Sequence, residues 1–245
     1  MHRLGLAITF LTILPVPRRG EATPADLAAA MAWFPAVGLI LGGILALTAA
    51  LLPAPFTPPA TAAILVALLT GLTRGLHLDG LADTLDGLGG GRTPGDALRI
   101  MKDHAVGAFG AAGLVAVLLL KYGLLTAALS RQNLPLLLIF PVVSRFAMVL
   151  LAYLSPYARA EGGLGQAMTT LTTGRTLAWA AGSAVLVAAG LGGRAGLYSL
   201  AGAALLSGAL AAYFRRRLGG VTGDVCGAVN ELTEVAALFL GLLLA

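Results

Sequence analysis

Three aspartates stand within eight positions of the stretch GLHLDGLADTLDGLGGGR, residues 75–92, in a chain that has only 11 acidic residues. Asp79, Asp83 and Asp86 are spaced i, i+4 and i+7, which places all three on one face of a helix. Carboxylates so placed repel one another, and like charges at i,i+4 weaken an isolated helix by about 0.2–0.5 kcal/mol. A bound divalent cation removes that penalty. Oxygen-only ligands suit Mg²⁺, which is commonly held by one or two carboxylates together with substrate phosphates. Asp79, Asp83 and Asp86 are therefore read as a Mg²⁺ site with a part in catalysis. The plainer alternative is a solvated helix whose acids pair with Arg74, Arg92 or Arg99.

Basic residues follow closely. Arg92, Arg99 and Lys102 supply the complement expected for a phosphate or diphosphate, since guanidinium forks match phosphate oxygens. Their alternative is exposed pairing with Asp96 and Asp103, worth little. Glycines 89–91 would let backbone N–H groups approach a phosphate, although no P-loop is completed. His77 and His104 flank the acidic segment as candidate acid or base groups, and His77 is taken as a substrate contact; isolated histidines without a carboxylate partner are more often simply polar.

A second constellation lies in TGDVCGAVNELTE, residues 222–234. Asp224, Glu231 and Glu234 fall at i, i+7 and i+10 on one helical face, with Asn230 beside them, where an apolar run enters the bilayer. Ionisable groups there are expensive unless paired or turned to a polar cavity. Asp224 and Glu231 are assigned to catalysis and Asn230 to substrate binding, against the alternative that Glu231 or Glu234 pairs with Arg145 or Lys121 to fix helix packing. Arg145, near the middle of its own apolar run, carries the same expense and needs a partner; it is provisionally a phosphate-binding residue.

The elements that must position these groups are membrane helices. Charged residues make up 11% of the 245 residues, against roughly 25% in an ordinary soluble protein, and mean hydropathy is +0.90. A hydrocarbon core about 30 Å thick needs around 20 apolar residues of helix. Candidate runs are 32–52, 60–72, 106–129, 134–154, 177–192, 196–214 and 226–245, the second and fifth being short. Leu4–Leu14 follows Arg3 in the manner of a signal peptide, but LPVPRR replaces the cleavage site, so it is read as a retained interfacial or re-entrant helix. The expected fold is all-α: a polytopic bundle of six to seven membrane helices with loop helices, in one domain over residues 1–245.

With seven spans, one side carries Arg3, Arg18, Arg19, Arg74, Arg92, Arg99, Lys102, Arg159, Arg175 and Arg215–Arg217, and the other only Arg131 and Arg194. That asymmetry assigns the first side to the cytoplasm. Asp79, Asp83, Asp86, Asp96, Asp103 and Asp224 fall on the same side, so a path of acids crossing the membrane, as a transporter would need, is not supported. The net charge of +5 is spread among loops without interleaved aromatics, which speaks against nucleic acid. The single cysteine, Cys226, excludes an internal disulfide. Glycine and alanine saturate the spans, marking close helix packing and making a homodimer plausible. Within 73–105, GLGGGR ends one helix; Thr93-Pro94-Gly95-Asp96 starts another with the pattern of a capping box, expected to run to about His104.

GLHLDGLADTLDGLGGGR followed by ALRIMKDHAVGAFG resembles the signature of the cobalamin synthase family, the adenosylcobinamide-GDP ribazoletransferases. FLTILPVP, WFPAVGLILG, PVVSRFAMVLLAY, YARAEGGLG and TGDVCGAVNEL are each similar to that family's pattern, in the same order and nearly end to end. The resemblance implies an integral, Mg²⁺-dependent enzyme of the inner membrane. Such an enzyme joins adenosylcobinamide-GDP to α-ribazole, or its 5′-phosphate, with release of GMP. It carries the acidic motif onto Asp79, Asp83 and Asp86 and the second motif onto Asp224, Asn230 and Glu231. Leu85 and His104 depart from the pattern, standing where a small residue and a serine are common. Asp83-Thr84-Leu85-Asp86-Gly87 also resembles a fragment of the CDP-alcohol phosphotransferase motif, the alternative reading, but the Ala-Arg that should follow is missing.

Overall fold

The structure is a computed structural model and describes residues 3–17, 21–53, 55–103 and 105–244. Among these, eleven α-helices and one short 3₁₀ turn account for the regular structure. They are α1 (Arg3–Leu11), α2 (Pro24–Ala30), α3 (Phe34–Leu51), α4 (Pro58–Leu72), α5 (Leu76–Gly90), α6 (Pro94–Ile100), α7 (Ala108–Ser130), α8 (Leu134–Leu154), α9 (Leu164–Thr170), α10 (Gly174–Leu218) and α11 (Gly223–Leu243). His104, Arg18 and Arg19, used above, lie outside the described residues.

Five helical stretches are long and apolar enough to cross a membrane: Pro24–Leu51, α7, α8, α10 and α11. The pair α4 and α5, bent by 87°, passes the same test only when taken together, as a broken span or a re-entrant loop. As a single rod, the 45 residues of α10 would be roughly 68 Å long, more than twice the hydrocarbon thickness. They do not form one. At Gly193 the backbone leaves the helix (φ 54, ψ −133), and a Cβ on Gly196 would collide with the carbonyl of Ala188. The two halves therefore double back on each other, as two separate apolar runs had implied.

Close approach of small residues holds the bundle together, as expected where lipid removes the hydrophobic drive between helices. On α3, a Cβ at Gly42 would sit 2.7 Å from the carbonyl oxygen of Leu137 on α8. That carbonyl is the acceptor which Pro141, inside α8, leaves without its helical N–H. Ser207 and Ser199, both fully buried, donate to the carbonyls of Ala147 (2.9 Å) and Ala237 (3.1 Å), tying α10 to α8 and α11. Leu47, Leu51, Leu119, Leu186, Leu205 and Leu243 are exposed on the outer surface, the distribution of a protein solvated by lipid.

The stretch 73–105 is not a solvated loop. Arg74 and Gly75 both take left-handed backbone (φ 56 and 66), which ends α4 and turns the chain into α5. That helix then lies inside the bundle, against α7 and α11. A Cβ on Gly80 would come within 2.6 Å of the backbone oxygen of Asp224, and one on Gly227 within 3.1 Å of the backbone oxygen of His77. The repeated glycines bring α5 into backbone contact with the start of α11. Thr93 caps α6 with the expected capping box, but the helix ends at Ile100, four residues short of His104, where Lys102 N–H donates to the Arg99 carbonyl and Asp103 N–H to the Ile100 carbonyl, closing a tight turn.

Candidate active site

Asp79, in the first turn of α5, and Asp224, in the first turn of α11, stand at the mouth of one cavity of about 280 Å³. Its interior walls include Phe10, Met148, Met168 and Cys226. Arg159 completes the rim. A Nη of its guanidinium donates to Asp224 Oδ2 at 2.8 Å, and Thr222 Oγ1 donates to the same oxygen at 3.1 Å. Backbone pairing places that arginine: Ala158 N–H donates to the Val221 carbonyl (3.0 Å) and Val221 N–H to the Pro156 carbonyl (2.9 Å). The segment after α8 is thus clipped beside the residue that precedes the α11 cap, which holds Arg159 over Asp224. Next to it, Lys102 and Glu161 form an exposed ion pair.

Asp83 lies one turn beyond Asp79, within electrostatic reach of Asp79, Asp224 and Asp86 and with Arg159 as its cationic neighbour. Among the described residues, no hydrogen bond or ion pair engages the carboxylates of Asp79 or Asp83. Asp86 behaves differently. Its two oxygens accept from the N–H groups of Gly107 (2.7 Å) and Gly110 (2.8 Å), so it is buried as the cap of α7. A carboxylate at a helix N-terminus satisfies orphan donors and meets the positive end of the dipole. The three aspartates share a face as the spacing required, but the third is held by backbone. Among the described residues, no three carboxylate, histidine or cysteine side chains converge into a ready-made metal cluster.

Glu231, Asn230 and Arg145 do not line the cavity. They belong to a buried network between α7, α8 and α11. Lys121 Nζ lies 2.6 Å from Glu231 Oε2 and also pairs with Glu234, which in turn pairs with Arg145. Arg145 donates further to Ser144 Oγ at 2.9 Å, and Asn230 Nδ2 to Glu234 Oε1 at 3.2 Å. Two acids and two bases cancel in formal charge, the arrangement that buried ions require. Glu231, assigned to catalysis from the sequence, and Asn230 and Arg145, assigned to substrate binding, are thus brought together in this network and away from the cavity wall, with Arg145 Nε and one Nη and Asn230 Oδ1 left without a hydrogen-bond partner among the described residues. The partner that Arg145 needed is Glu234.

His77 borders the cavity, yet its Nε2 is sealed from solvent without a hydrogen-bond partner among the described residues. Arg92 and Arg99 are exposed and outside the cavity walls, and Lys102 is occupied by Glu161. Glycines 89–91 serve packing: Gly89 faces the ring of Phe109, and Gly91 closes α5 against Ala97. Sequence reasoning overlooked Arg159, which it had counted only toward loop charge. YARAEGGLG was the available signal, and nothing in its local spacing pointed to Asp224, 65 positions away.

Comparison with known proteins gives a consistent result. The profile of the cobalamin-5-phosphate synthase family matches residues 3–243. An adenosylcobinamide-GDP ribazoletransferase of Syntrophobacter fumaroxidans is 44% identical over 96% of this chain and 95% of its own length. One of Ectopseudomonas mendocina is 44% identical over 95% of each chain, and one of Chlorobaculum parvum 41% identical over 98% of this chain and 94% of its own. No solved structure matches the chain.

Proposed function

The chain belongs to the cobalamin-5-phosphate synthase family, and on that premise we propose how its residues divide the work. It is a multi-pass membrane transferase that joins adenosylcobinamide-GDP and ribazole in cobalamin biosynthesis. In the proposed reaction a ribose hydroxyl of α-ribazole, or of its 5′-phosphate, attacks the cobinamide-side phosphorus. A new O–P bond forms as the bond to the bridging oxygen breaks, and the electron pair leaves on GMP. The hydroxyl proton passes to a carboxylate at the rim.

The observation that carries this reading is the rim itself: Asp79 and Asp83 unpaired and adjacent, with Asp224 and Arg159 across from them. Asp79 and Asp83 fit Mg²⁺ because they are adjacent hard oxygen donors that no hydrogen bond or ion pair engages among the described residues. Bound there, Mg²⁺ would neutralise charge building on the diphosphate oxygens. Asp86 supports the site by fixing α5 against α7. Arg159, oriented by Asp224, presents its guanidinium to the diphosphate, while Arg92 and Arg99 attract the anionic substrate from farther out.

The positive-inside asymmetry supports a cytoplasmic rim in the cell's inner membrane. Labelling Gly95→Cys in a Cys226→Ser background tests this; reaction only from the periplasmic side would reverse the orientation. Gly182, Gly190 and Gly208 offer open backbone to the outside, where a second copy could pack in a homodimer, measurable as mass in detergent. Activity is tested with purified protein in liposomes. Adenosylcobinamide-GDP and α-ribazole should give GMP and the joined corrinoid with added Mg²⁺ and none with EDTA. Full turnover in EDTA would remove the metal from the proposal.

A further inference from the structure

We propose that the cavity behind the acidic rim is the acceptor's subsite, shaped for the flat apolar base of ribazole, and that the guanosine and corrin parts of the other substrate stay outside it. The inference rests on the ribazole-transfer reading above and adds which substrate enters, and which end first.

Size makes the first selection. A cavity of about 280 Å³ falls just short of the range of roughly 300–1,000 Å³ for pockets that enclose a drug-sized ligand. It admits a nucleoside and excludes a corrin macrocycle. Chemistry makes the second. The inner wall is formed by Met148, Met168 and Cys226, each buried, with Phe10 beside them, whereas the charged groups Asp79, Asp224 and Arg159 are all at the mouth.

Of the polar side-chain groups on the wall, His77 Nε2 is sealed off and the Tyr157 hydroxyl gives its proton to the Gly162 carbonyl, which leaves it an acceptor only. Guanine carries a ring N–H, an amino group and a carbonyl, and such groups are costly to bury unpaired. A dimethylbenzimidazole presents methyl groups and ring carbons over most of its edge, and thioethers pack well on aromatic faces. With the base inward, the ribose hydroxyls emerge at Asp79 and Asp224, where the phosphorus must arrive. The occupant's polarity matches the cavity's from end to end.

Gly223 offers the test. It borders the cavity, and a Cβ there meets nothing within 4 Å, so the first carbon of Gly223→Val is accommodated and its branched end narrows the mouth. The KM for α-ribazole should rise about tenfold or more while that for adenosylcobinamide-GDP stays within about twofold. A rise confined to adenosylcobinamide-GDP, an equal rise in both, or no change would overturn the assignment. The wild-type protein supplies a second readout independent of the variant's folding. A benzimidazole riboside lacking both methyl groups should show roughly tenfold lower kcat/KM, the worth of two methyl groups leaving water. Equal kcat/KM for the two acceptors would count against an enclosed base. If the wild-type enzyme joined neither acceptor to adenosylcobinamide-GDP, the ribazole-transfer reading itself would fall, and this inference with it.

Discussion

Glu234 is the residue on which two buried cations converge. Its side chain is 1% exposed, that of Arg145 0% and that of Lys121 5%. Glu234→Ala would leave a guanidinium and an ammonium to share Glu231, which reaches only Lys121, at 2.6 Å. Breaking a buried pair by removing one partner costs about 3–5 kcal/mol, because the orphaned charge cannot recover its hydration. Glu231→Gln leaves Lys121 paired with Glu234, so its cost should fall to about 1–3 kcal/mol. Replacing both ends, Glu234→Leu with Arg145→Met, should restore much of the loss, since Lys121 keeps Glu231 and no charge stands alone. Unfolding midpoints of the variants in one detergent give the order directly, and GMP release per folded molecule separates stability from chemistry. A Glu234→Ala protein that unfolds like the wild type but has lost turnover would refute the structural reading and return the network to catalysis.

Two further outcomes follow from the same geometry. Gly80→Ala puts a methyl group onto the backbone of Asp224, at 2.6 Å from its oxygen; α5 must then move off α11, and turnover should fall about a hundredfold although no charged group has been touched, whereas wild-type activity would mean that the rim tolerates displacement. Acidification acts on the segment that carries Arg159. The hydrogen bond and charge of Lys102 hold the Glu161 carboxyl below its usual range. The pair therefore stabilises the folded segment above the ordinary glutamate range and is lost as pH falls through the lowered value. Exchange protection of residues 157–163, corrected for intrinsic rates, should drop further on acidification in the wild type than in Glu161→Gln, where the Arg159–Asp224 pair remains; identical profiles would contradict the linkage.

Much of the framework was legible in the sequence because lipid imposes length and polarity on every span. The run 134–154 coincides with α8, the separation of 177–192 from 196–214 anticipated the break at Gly193, and Thr93 announced its own capping box. Helical spacing also put Asp79, Asp83 and Asp86 on one face. Spacing says nothing about which element that face will meet. Asp86 is taken by Gly107 and Gly110, 21 and 24 positions on. Glu231 finds Lys121 at a separation of 110 residues, and Arg159 finds Asp224 at 65. These pairings depend on the bend after α4 and on glycine contacts between α5 and α11, neither of which leaves a periodic signature. The concentration of charge in 73–105 set it outside the spans, when its small residues were what allowed α5 to pack against α11.

On this geometry, chemistry belongs to the α5 and α11 rim and not to the buried network. The most direct measurement is single-turnover GMP release by Asp83→Asn and Glu231→Gln, side by side in liposomes across a Mg²⁺ titration, with the folded fraction of each determined. Asp83→Asn should fold and insert normally yet release GMP about a hundredfold more slowly or worse, with a higher Mg²⁺ requirement. Glu231→Gln should match the wild type per folded molecule. The reverse pattern, a silent Asp83→Asn and a folded but inactive Glu231→Gln, would contradict the account.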